Sequence, residues 1–322
     1  MLRDVPLPSH PDLIVGLETG DDAAVWRRPD GRAIIATVDF FTPVVDDART
    51  WGAIAAANAV SDVYAMGGKP LFALNIAAWP KDQLPLDLLG QVMAGAQDIA
   101  ARGGFVVVGG HTIDGAEPLF GQVVIGDASP ETILTNAGAQ VGDALVLTKA
   151  LGTGLVTTAI KRADDGATVT GAAEAIASML RLNDGAAAAA IAAGAHAATD
   201  VTGFGLLGHL HKLALASRVA VRVDFGAIPV LPGVGELAAS GFAPGGTQRN
   251  LDFAEPHVVP ESSVDWPVAR LLLADPQTSG GLLFSCPRSD ADNAVAALLA
   301  SGHAAAVIGV VIAGPPGHIA VT

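Results

Sequence analysis

Cysteine and positive charge are both scarce in this sequence. Cys286 is the only cysteine in 322 residues, so no intramolecular disulfide can form and no CxxC pair exists. Only 18 lysine and arginine residues stand against 32 acidic residues, which gives a formal net charge of −14. This acidity disfavours the backbone of a nucleic acid as a partner. It leaves room for a single nucleotide, because a bound metal ion can invert the local charge.

Several catalytic and targeting patterns are also missing. The sequence contains no GxxxxGK[ST] phosphate loop, no GxSxG and no HExxH. Its most alanine-rich run, residues 186–198, is interrupted by Gly194 and His196 and is too short to span a bilayer. The opening residues, MLRDVPLPSHPD, include no apolar core of a signal peptide. We therefore expect a soluble, cytoplasmic protein with no membrane partner.

The composition predicts a folded protein of two domains. Hydrophobic residues make up 51% of the chain and charged residues 16%, and the length is sufficient for two cores. Apolar, β-favouring runs alternate with alanine-rich helical runs without strict βαβ order, which predicts an α+β fold with a sheet covered on one face. A polar, turn-rich stretch over 127–142 predicts a boundary between domains at 1–135 and 136–322. The Pro- and Gly-rich segment 229–267 is predicted to be mostly irregular.

Four acidic positions stand out from apolar or glycine-rich surroundings. The pair Asp21-Asp22 lies in GLETGDDAAVW, Asp39 ends the strand-like run ATVDFF, Asp62 interrupts the helical run AANAVSDVYAMGG, and Asp200 begins TDVTGFG. Taken singly, each has an ordinary explanation as a turn, capping or solvated helix residue. Taken together, they make a set of hard oxygen ligands that suits Mg²⁺ with the phosphates of a nucleotide. Spacing alone does not show that they converge.

Two glycine segments are candidates for the phosphate-binding part of such a site. Residues 109–112 (GGHT) follow one predicted strand, and residues 152–154 (GTG) follow another and open a predicted helix. Glycine lets backbone N–H groups approach a phosphate, and a helix N-terminus favours anions. Taken singly, each segment is also explained as a tight turn.

Two histidines and the cysteine are weaker candidates. His209 and His211 are two residues apart on a predicted helix and therefore point to different faces, which favours a structural role. Cys286 follows a predicted strand and precedes a proline, which favours a packed residue over a nucleophile.

A series of segments between Leu13 and about Leu283 carries a family resemblance. In chain order they are GLETGDDAAVW, TVDFFTPVVDD, AAANAVSDVYAMGGKP, GGHTIDGAEPLFG, LTKALGTG, ATDVTGFGLLGHL, LPGV, PGGTQRN and DPQTSGGLL. Together they resemble the selenophosphate synthetase (selenide, water dikinase) family. The number and order of the segments favour this family over its relatives in the same ATP-binding superfamily.

The resemblance implies a two-domain α+β fold of the aminoimidazole ribonucleotide synthetase type. It also implies a homodimer whose N-terminal domains pair their sheets and hold ATP near the interface. The first domain would bind ATP and metal and would dimerise. The implied reaction converts ATP, selenide and water to selenophosphate, AMP and phosphate.

The resemblance also assigns roles to the residues that match its motifs. Asp22, Asp62 and Asp200 would hold Mg²⁺. The nucleotide would lie against Thr19, Gly20, Asp21, Asp39 and Asp62, and Gly110, His111 and Thr112 would reach ATP from the other subunit.

One part of the family pattern has no match in this sequence. The family has a glycine-rich N-terminal segment with a reactive Cys or selenocysteine followed by a Lys, whereas here the first lysine is Lys69. No catalytic residue is therefore assigned. Three hypotheses stay open. The first is a selenophosphate synthetase for which a longer form or another chain supplies the segment, with a selenium-delivery protein as a candidate partner. The second is an ATPase or phosphotransferase of the superfamily with another substrate, and the third is a non-catalytic ATP-binding relative.

Overall fold

Two β-sheets, one in each half of the chain, organise the protein in a computed structural model that describes residues 7, 9–163 and 168–322. The first half contains β1 (Leu13–Val15), β2 (Ala24–Arg27), β3 (Ala33–Phe41), α1 (Ala48–Ala65), β4 (Lys69–Trp79), α2 (Leu86–Gly103), β5 (Val106–Asp114) and β6 (Leu119–Ala128). Its strands are ordered β1-β2-β3-β6-β4-β5. The β4–β5 pair is parallel and the other neighbouring pairs are antiparallel.

Helices α1 and α2 pack closely on each other and cover one face of this sheet. Backbone contact between them depends on Gly52 and Gly95, because a Cβ at Gly52 would lie 1.9 Å from the carbonyl oxygen of Val92 and a Cβ at Gly95 would meet α1 equally closely. Helix α1 begins at Ala48, since the side chain of Asp47 caps it. Helix α1 also contacts β8 (Ala197–Asp200) and α5 (Asp184–Ala192) of the second half.

The other face and the β5 edge of the first sheet carry large apolar side chains that are exposed in the single chain. They are Val38, Phe40, Leu71, Leu74, Val106, Val108 and Ile113. The first sheet is thus covered by helices on one side, as predicted.

The second half forms a seven-stranded sheet with shorter helices. Its elements in chain order are β7 (Ala144–Leu147), α3 (Thr153–Arg162), α4 (Ala172–Met179), α5, β8, α6 (Gly205–Ala216), β9 (Ala220–Val223), α7 (Val234–Ala239), α8 (Gly245–Ala254), β10 (Val258–Pro260), α9 (Trp266–Leu273), β11 (Leu282–Cys286), α10 (Arg288–Ala300), β12 (Ala306–Ile312) and β13 (Ile319–Val321). Single turns of 3₁₀ helix lie at Pro130–Thr132, Phe225–Ala227 and Glu255–His257. The strand order is β10-β13-β9-β12-β7-β11-β8. Among the helices of the described ranges, none combines the length and the apolar character needed to cross a bilayer.

The prediction that 229–267 is mostly irregular is wrong. The segment contains α7, α8 and β10, and α9 begins at its end. Intrinsic propensity disfavours a helix that starts Pro-Gly-Gly, but tertiary packing overrides it, because Leu251 and Ala254 are buried and the amide of Asn250 donates to two backbone carbonyls.

The predicted domain boundary after residue 135 lies in the connection between β6 and β7. It stays a prediction, because one core cluster includes buried residues of both halves, such as Val60 of α1 and Phe284 of β11.

Candidate active site

Helix α1 carries a short polar face in an otherwise apolar helix. Asn58, Ser61 and Asp62 project from one side, since they are three and four residues apart. Asn58 and Ser61 are buried and Asp62 is half-buried. A polar surface therefore lies inside the contact between the two halves.

Two of the predicted acids belong to the first half and are held by neutral donors. The amide nitrogen of Asn58 donates to the carboxylate of Asp39, near the end of β3. The hydroxyl of Thr37, on the same strand, donates to the carboxylate of Asp62. Strand β3 and helix α1 thus fix these two carboxylates relative to each other.

Asp22 and Asp200 approach from opposite halves. The hydroxyl of Ser61 donates to Oδ2 of Asp200 at 2.5 Å. Thr199, the neighbour of Asp200 on β8, donates its hydroxyl to Oδ1 of Asp22 at 2.8 Å. In the first bond the first half donates to the second, and in the other bond the second half donates to the first. The two acids are therefore brought together only when the halves pack.

His209 contacts Thr199, the residue that holds Asp22, and its contacts agree with the structural role predicted for it. Its Nε2 accepts from the backbone N–H of Thr202 at 3.1 Å, so Nδ1 carries the proton and donates to the hydroxyl oxygen of Thr199 at 3.2 Å. Burial, followed by the charge of Lys212, lowers the pKa of His209 to about 3 and keeps the ring neutral. The ring thereby orients the hydroxyl that holds Asp22.

Burial raises the pKa of all four acids, and neighbouring acids add to the rise at three of them. Burial, followed by the charge of Asp200, raises the pKa of both Asp22 and Asp62 well above the ordinary value. Burial also raises the pKa of Asp39, and it raises the pKa of Asp200 to about 6. No lysine, arginine or histidine of the described ranges forms an ion pair with any of the four. The cluster is therefore a site of negative potential that favours a cation.

The donor chemistry fits a hard cation. Oδ2 of Asp22 is buried and has no hydrogen-bond partner among the described residues. Mg²⁺ takes one or two carboxylates together with water and phosphate oxygens. Within the described part of the chain, no set of three or more His, Cys, Asp or Glu side chains is already gathered to hold an ion. Asp22, Asp62 and Asp200 thus share one electrostatic cluster but do not form a finished coordination shell.

The loop of Thr19, Gly20 and Asp21 is attached to the connection between the halves. The hydroxyl of Thr19 donates to the carboxylate of Asp21. Oδ1 of Asp21 accepts from the backbone N–H of Asn136 at 2.6 Å, and the carbonyl of Gly20 accepts from the side chain of Asn136 at 3.0 Å. Asp21 therefore anchors the loop beside Asp22.

The GGHT segment lies in a strand and not in a turn. Gly110, His111 and Thr112 are exposed residues of the edge strand β5 and pair with residues 75–77 of β4. Strands β6 and β4 separate β5 from β3, so the segment lies about 14 Å from the strand that carries Asp39. Within one chain the structure does not bring these three residues to the acids.

The GTG segment opens α3 as predicted, but its N–H groups already have partners. Oε1 of Gln277 accepts from the backbone N–H groups of Gly152 and Thr153 at 3.0 and 3.1 Å. Oδ2 of Asp275 accepts from the N–H of Gly154 at 3.0 Å. A phosphate role for this segment is therefore not supported, because the loop 275–281 occupies its donors.

A cleft between the halves opens beside Asp39 and Asn58. Its volume of about 450 Å³ is in the range of small-molecule sites. The second half contributes Gly154, Thr157, Thr202, Phe204 and Thr278 among its lining residues. A second cavity of about 500 Å³ adjoins it along Thr42, Val44, Thr157 and Thr158. Through Asp39, the acid cluster thus borders a space large enough for a nucleotide.

Comparison with known proteins gives the family. The family model of the AIR synthase related protein, N-terminal domain, matches residues 20–128. The model of the C-terminal domain of the same family matches residues 140–321. The selenide, water dikinase of Paraburkholderia xenovorans is 46% identical over 97% of this chain and 88% of that protein. The enzyme of the same name from Myxococcus xanthus is 48% identical over 95% of this chain and 87% of its own length. The chain belongs to the selenide, water dikinase family.

Solved structures confirm the fold at lower identity. The hydrogenase maturation protein HypE in complex with ATP superposes with a TM-score of 0.68 at 20% identity, over 97% of this chain and 87% of that chain. The ThiL structure complexed with AMPPCP and TMP gives a TM-score of 0.69 at 19% identity, over 94% of this chain and 87% of that chain. This selenide, water dikinase family member therefore has the predicted aminoimidazole ribonucleotide synthetase type of fold.

The buried acids predict a pH-dependent loss of stability in the metal-free protein. Because Asp200 has a raised pKa when folded, the folded state binds more protons than the unfolded state between about pH 4 and pH 6, and stability falls as pH rises through that window. The rise of the Asp200 pKa to about 6 corresponds to roughly 3 kcal/mol of stability. Asparagine does not titrate, so Asp200→Asn lacks this loss of stability. The free energy of unfolding of Asp200→Asn minus that of wild type should therefore rise by about 3 kcal/mol from pH 4 to pH 7.

Urea denaturation in the presence of a chelator measures this difference. Asp82→Asn, at an exposed position, is the matched control and should show no pH-dependent difference from wild type. A constant difference between Asp200→Asn and wild type across the window would contradict the electrostatic account of the cluster.

Proposed function

We propose that this chain holds Mg²⁺-ATP at the aspartate cluster and makes selenophosphate from ATP, selenide and water, with AMP and phosphate as the other products. The observation that carries the proposal is the meeting of Asp22, Asp39, Asp62 and Asp200, from both halves, with raised pKa values. Four acids beside a cleft would repel a triphosphate unless a divalent cation lay between them. Membership in the family and the ATP-bound structure of a protein with the same fold support the same substrate.

We assign the metal to Asp22, Asp62 and Asp200. Bound Mg²⁺ would neutralise phosphate oxygens and stabilise the charge that spreads over the transferred phosphoryl group. The chain's own contribution is orientation: Thr199 holds Oδ1 of Asp22 and leaves Oδ2 without a partner. Ser61 holds Oδ2 of Asp200 in the same way. One oxygen of Asp22 is thus fixed and the other is left for a ligand, and Asp200 is fixed through its Oδ2.

We assign the nucleotide side to Asp39 and Asp62 and to the loop of Thr19, Gly20 and Asp21. Asp39 lines the cleft, and its orientation is set by the amide of Asn58. The 19–21 loop is anchored beside Asp22 through Asn136. The cytoplasmic location and a selenium-delivery partner stay predictions.

Phosphorus NMR of the purified chain with ATP, Mg²⁺ and selenide, under anaerobic conditions, tests the reaction. We expect a selenophosphate signal together with AMP, and neither in a control without selenide. ATP turnover that does not depend on selenide would instead favour a phosphotransferase or ATPase of the superfamily with another substrate. Unchanged ATP in both samples would favour a non-catalytic relative.

Asp62→Asn tests the metal assignment separately from the chemistry. The carboxylate belongs to both the metal and the nucleotide sides, so its loss should weaken Mg²⁺-ATP binding by roughly tenfold or more, at least as much as loss of an outer-shell partner. Titration calorimetry with and without Mg²⁺ measures the effect. Asp82→Asn is the control at an exposed position. The same Mg²⁺-ATP affinity in Asp62→Asn and wild type would contradict the assignment of Asp62 to the metal.

We also propose a homodimer formed by the first sheets. The supporting observation is the exposed apolar surface on β3, β4 and β5, which includes Phe40, Val108 and Ile113. Contiguous exposed apolar surface on a folded protein marks an interaction site. Gly110, His111 and Thr112 lie on the same edge strand, so docking of a second copy there would let them approach the nucleotide of the partner.

Val108→Asp should weaken the dimer, because an unpaired carboxylate would be buried in the interface. Analytical ultracentrifugation should show wild type as a dimer and the variant shifted toward monomer. Leu86→Asp, equally exposed but on α2, is the control and should remain dimeric. An unchanged sedimentation coefficient in Val108→Asp would place the dimer contact elsewhere.

A further inference from the structure

Lys149 is a buried lysine that the proposed reaction does not use. It lies just after β7 and is only 2% exposed. Its Nζ donates to the backbone carbonyl of Arg181 at 2.7 Å and to that of Ser279 at 2.9 Å. It forms no ion pair with a carboxylate of the described residues. Its contacts are therefore to backbone, and one of them is to the 275–281 loop.

The backbone at Ser279 is strained. Its φ of +48° lies in the left-handed region, which non-glycine residues rarely adopt. The residue is buried and its own hydroxyl has no hydrogen-bond partner among the described atoms. The side chain of Ser279 therefore does not stabilise this conformation, whereas Lys149 holds its carbonyl.

The N–H of Ser279 connects this turn to the acid cluster. It donates to Oδ1 of Asn58 at 2.8 Å. The amide nitrogen of Asn58 in turn donates to the carboxylate of Asp39. Because Oδ1 of Asn58 is held by the turn, the amide has one orientation, with its N–H group toward Asp39.

The next residue of the turn reaches a second acid. The carbonyl of Gly280 accepts from Nδ2 of Asn183 at 2.8 Å, and the same nitrogen donates to the hydroxyl oxygen of Ser61 at 2.8 Å. Ser61 then donates to Asp200. The 279–280 turn is thus linked by hydrogen bonds to acids of both halves.

We propose that Lys149 is a positioning residue, which holds the Ser279 turn so that Asn58 orients Asp39 toward the nucleotide. This inference rests on the proposed placement of Mg²⁺-ATP at the acid cluster. It does not depend on the charge of Lys149, although burial lowers its pKa to about 7 and the charge of Asp200 opposes that shift. An amine and an ammonium both have enough N–H groups for the two carbonyls.

A double-mutant cycle with Lys149→Met and Asn58→Ala tests the proposal. The readout is kcat/KM for ATP in selenophosphate formation, measured well below the unfolding temperature of each variant. Each single variant should lose roughly tenfold, within the range of coupling measured between contacting residues. The double variant should lose less than the sum of the two single losses, because Lys149 acts on Asp39 through Asn58.

Leu147→Ala is the matched control for loss of stability. Leu147 is buried two residues before Lys149, and its truncation should lower Tm without touching the network. It should keep kcat/KM near wild type and should combine additively with Asn58→Ala. Should Lys149→Met yield no folded protein, Lys149→Gln takes its place in the cycle, since a shorter amide cannot serve both carbonyls.

Two further measurements distinguish a positioning role of Lys149 from a general contribution to the stability of the fold. In the protein without metal or nucleotide, amide hydrogen exchange of the peptide that contains Ser279 should be faster in Lys149→Met than in Leu147→Ala. Ser279→Gly should restore part of the kcat/KM lost in Lys149→Met, because glycine adopts φ +48° without strain.

Additive losses in Lys149→Met and Asn58→Ala, or equal exchange in Lys149→Met and Leu147→Ala, would overturn the inference and leave the proposed function intact. Wild-type kcat/KM in Asn58→Ala would instead overturn the placement of the nucleotide at Asp39, and the inference with it.

Discussion

The contact of α1 with the second half of the chain is the constraint on which the site depends. Asn58 and Ser61 are buried, so their hydrogen-bonding groups must find partners in the opposite half, and they find them in Ser279, Asn183 and Asp200. A buried polar group left without a partner costs about 1–3 kcal/mol. Because several such groups are matched at once, the halves pack in one relative position, and that position brings the acids together.

The acid cluster lowers the stability of the metal-free protein and favours the binding of a cation. Its carboxylates are held by hydroxyl and amide donors, which orient oxygens without neutralising charge. These hydrogen bonds lower the pKa values of the acids only in part, so burial still raises them above the ordinary value. A lysine or arginine in the same place would relieve the repulsion and would also compete with a metal ion. The folded protein therefore retains an electrostatic strain that a cation can release, as is common at functional sites.

The sequence was sufficient for the positions of the acids and for helix α1, because carboxylates that interrupt apolar or alanine-rich runs are conspicuous. It was not sufficient for the residues that hold them. Thr37 and Thr199 are ordinary residues of strands, and the partnership of Gln277 with Gly152 joins positions 125 residues apart. Local propensity also failed for α8, where burial of Leu251 outweighs an opening of proline and glycine.

Strand β8, which ends at Asp200, lies at the edge of the second sheet and pairs there with β11. Strand β11 spans Leu282–Cys286, more than eighty residues later in the chain. While the protein is being synthesised, β8 therefore has no neighbour in its sheet until β11 has left the ribosome. The nascent chain therefore contains Asp22, Asp39, Asp62 and the whole of α1 long before Asp200 has a fixed position, so the acid cluster is complete only after β11 has been synthesised.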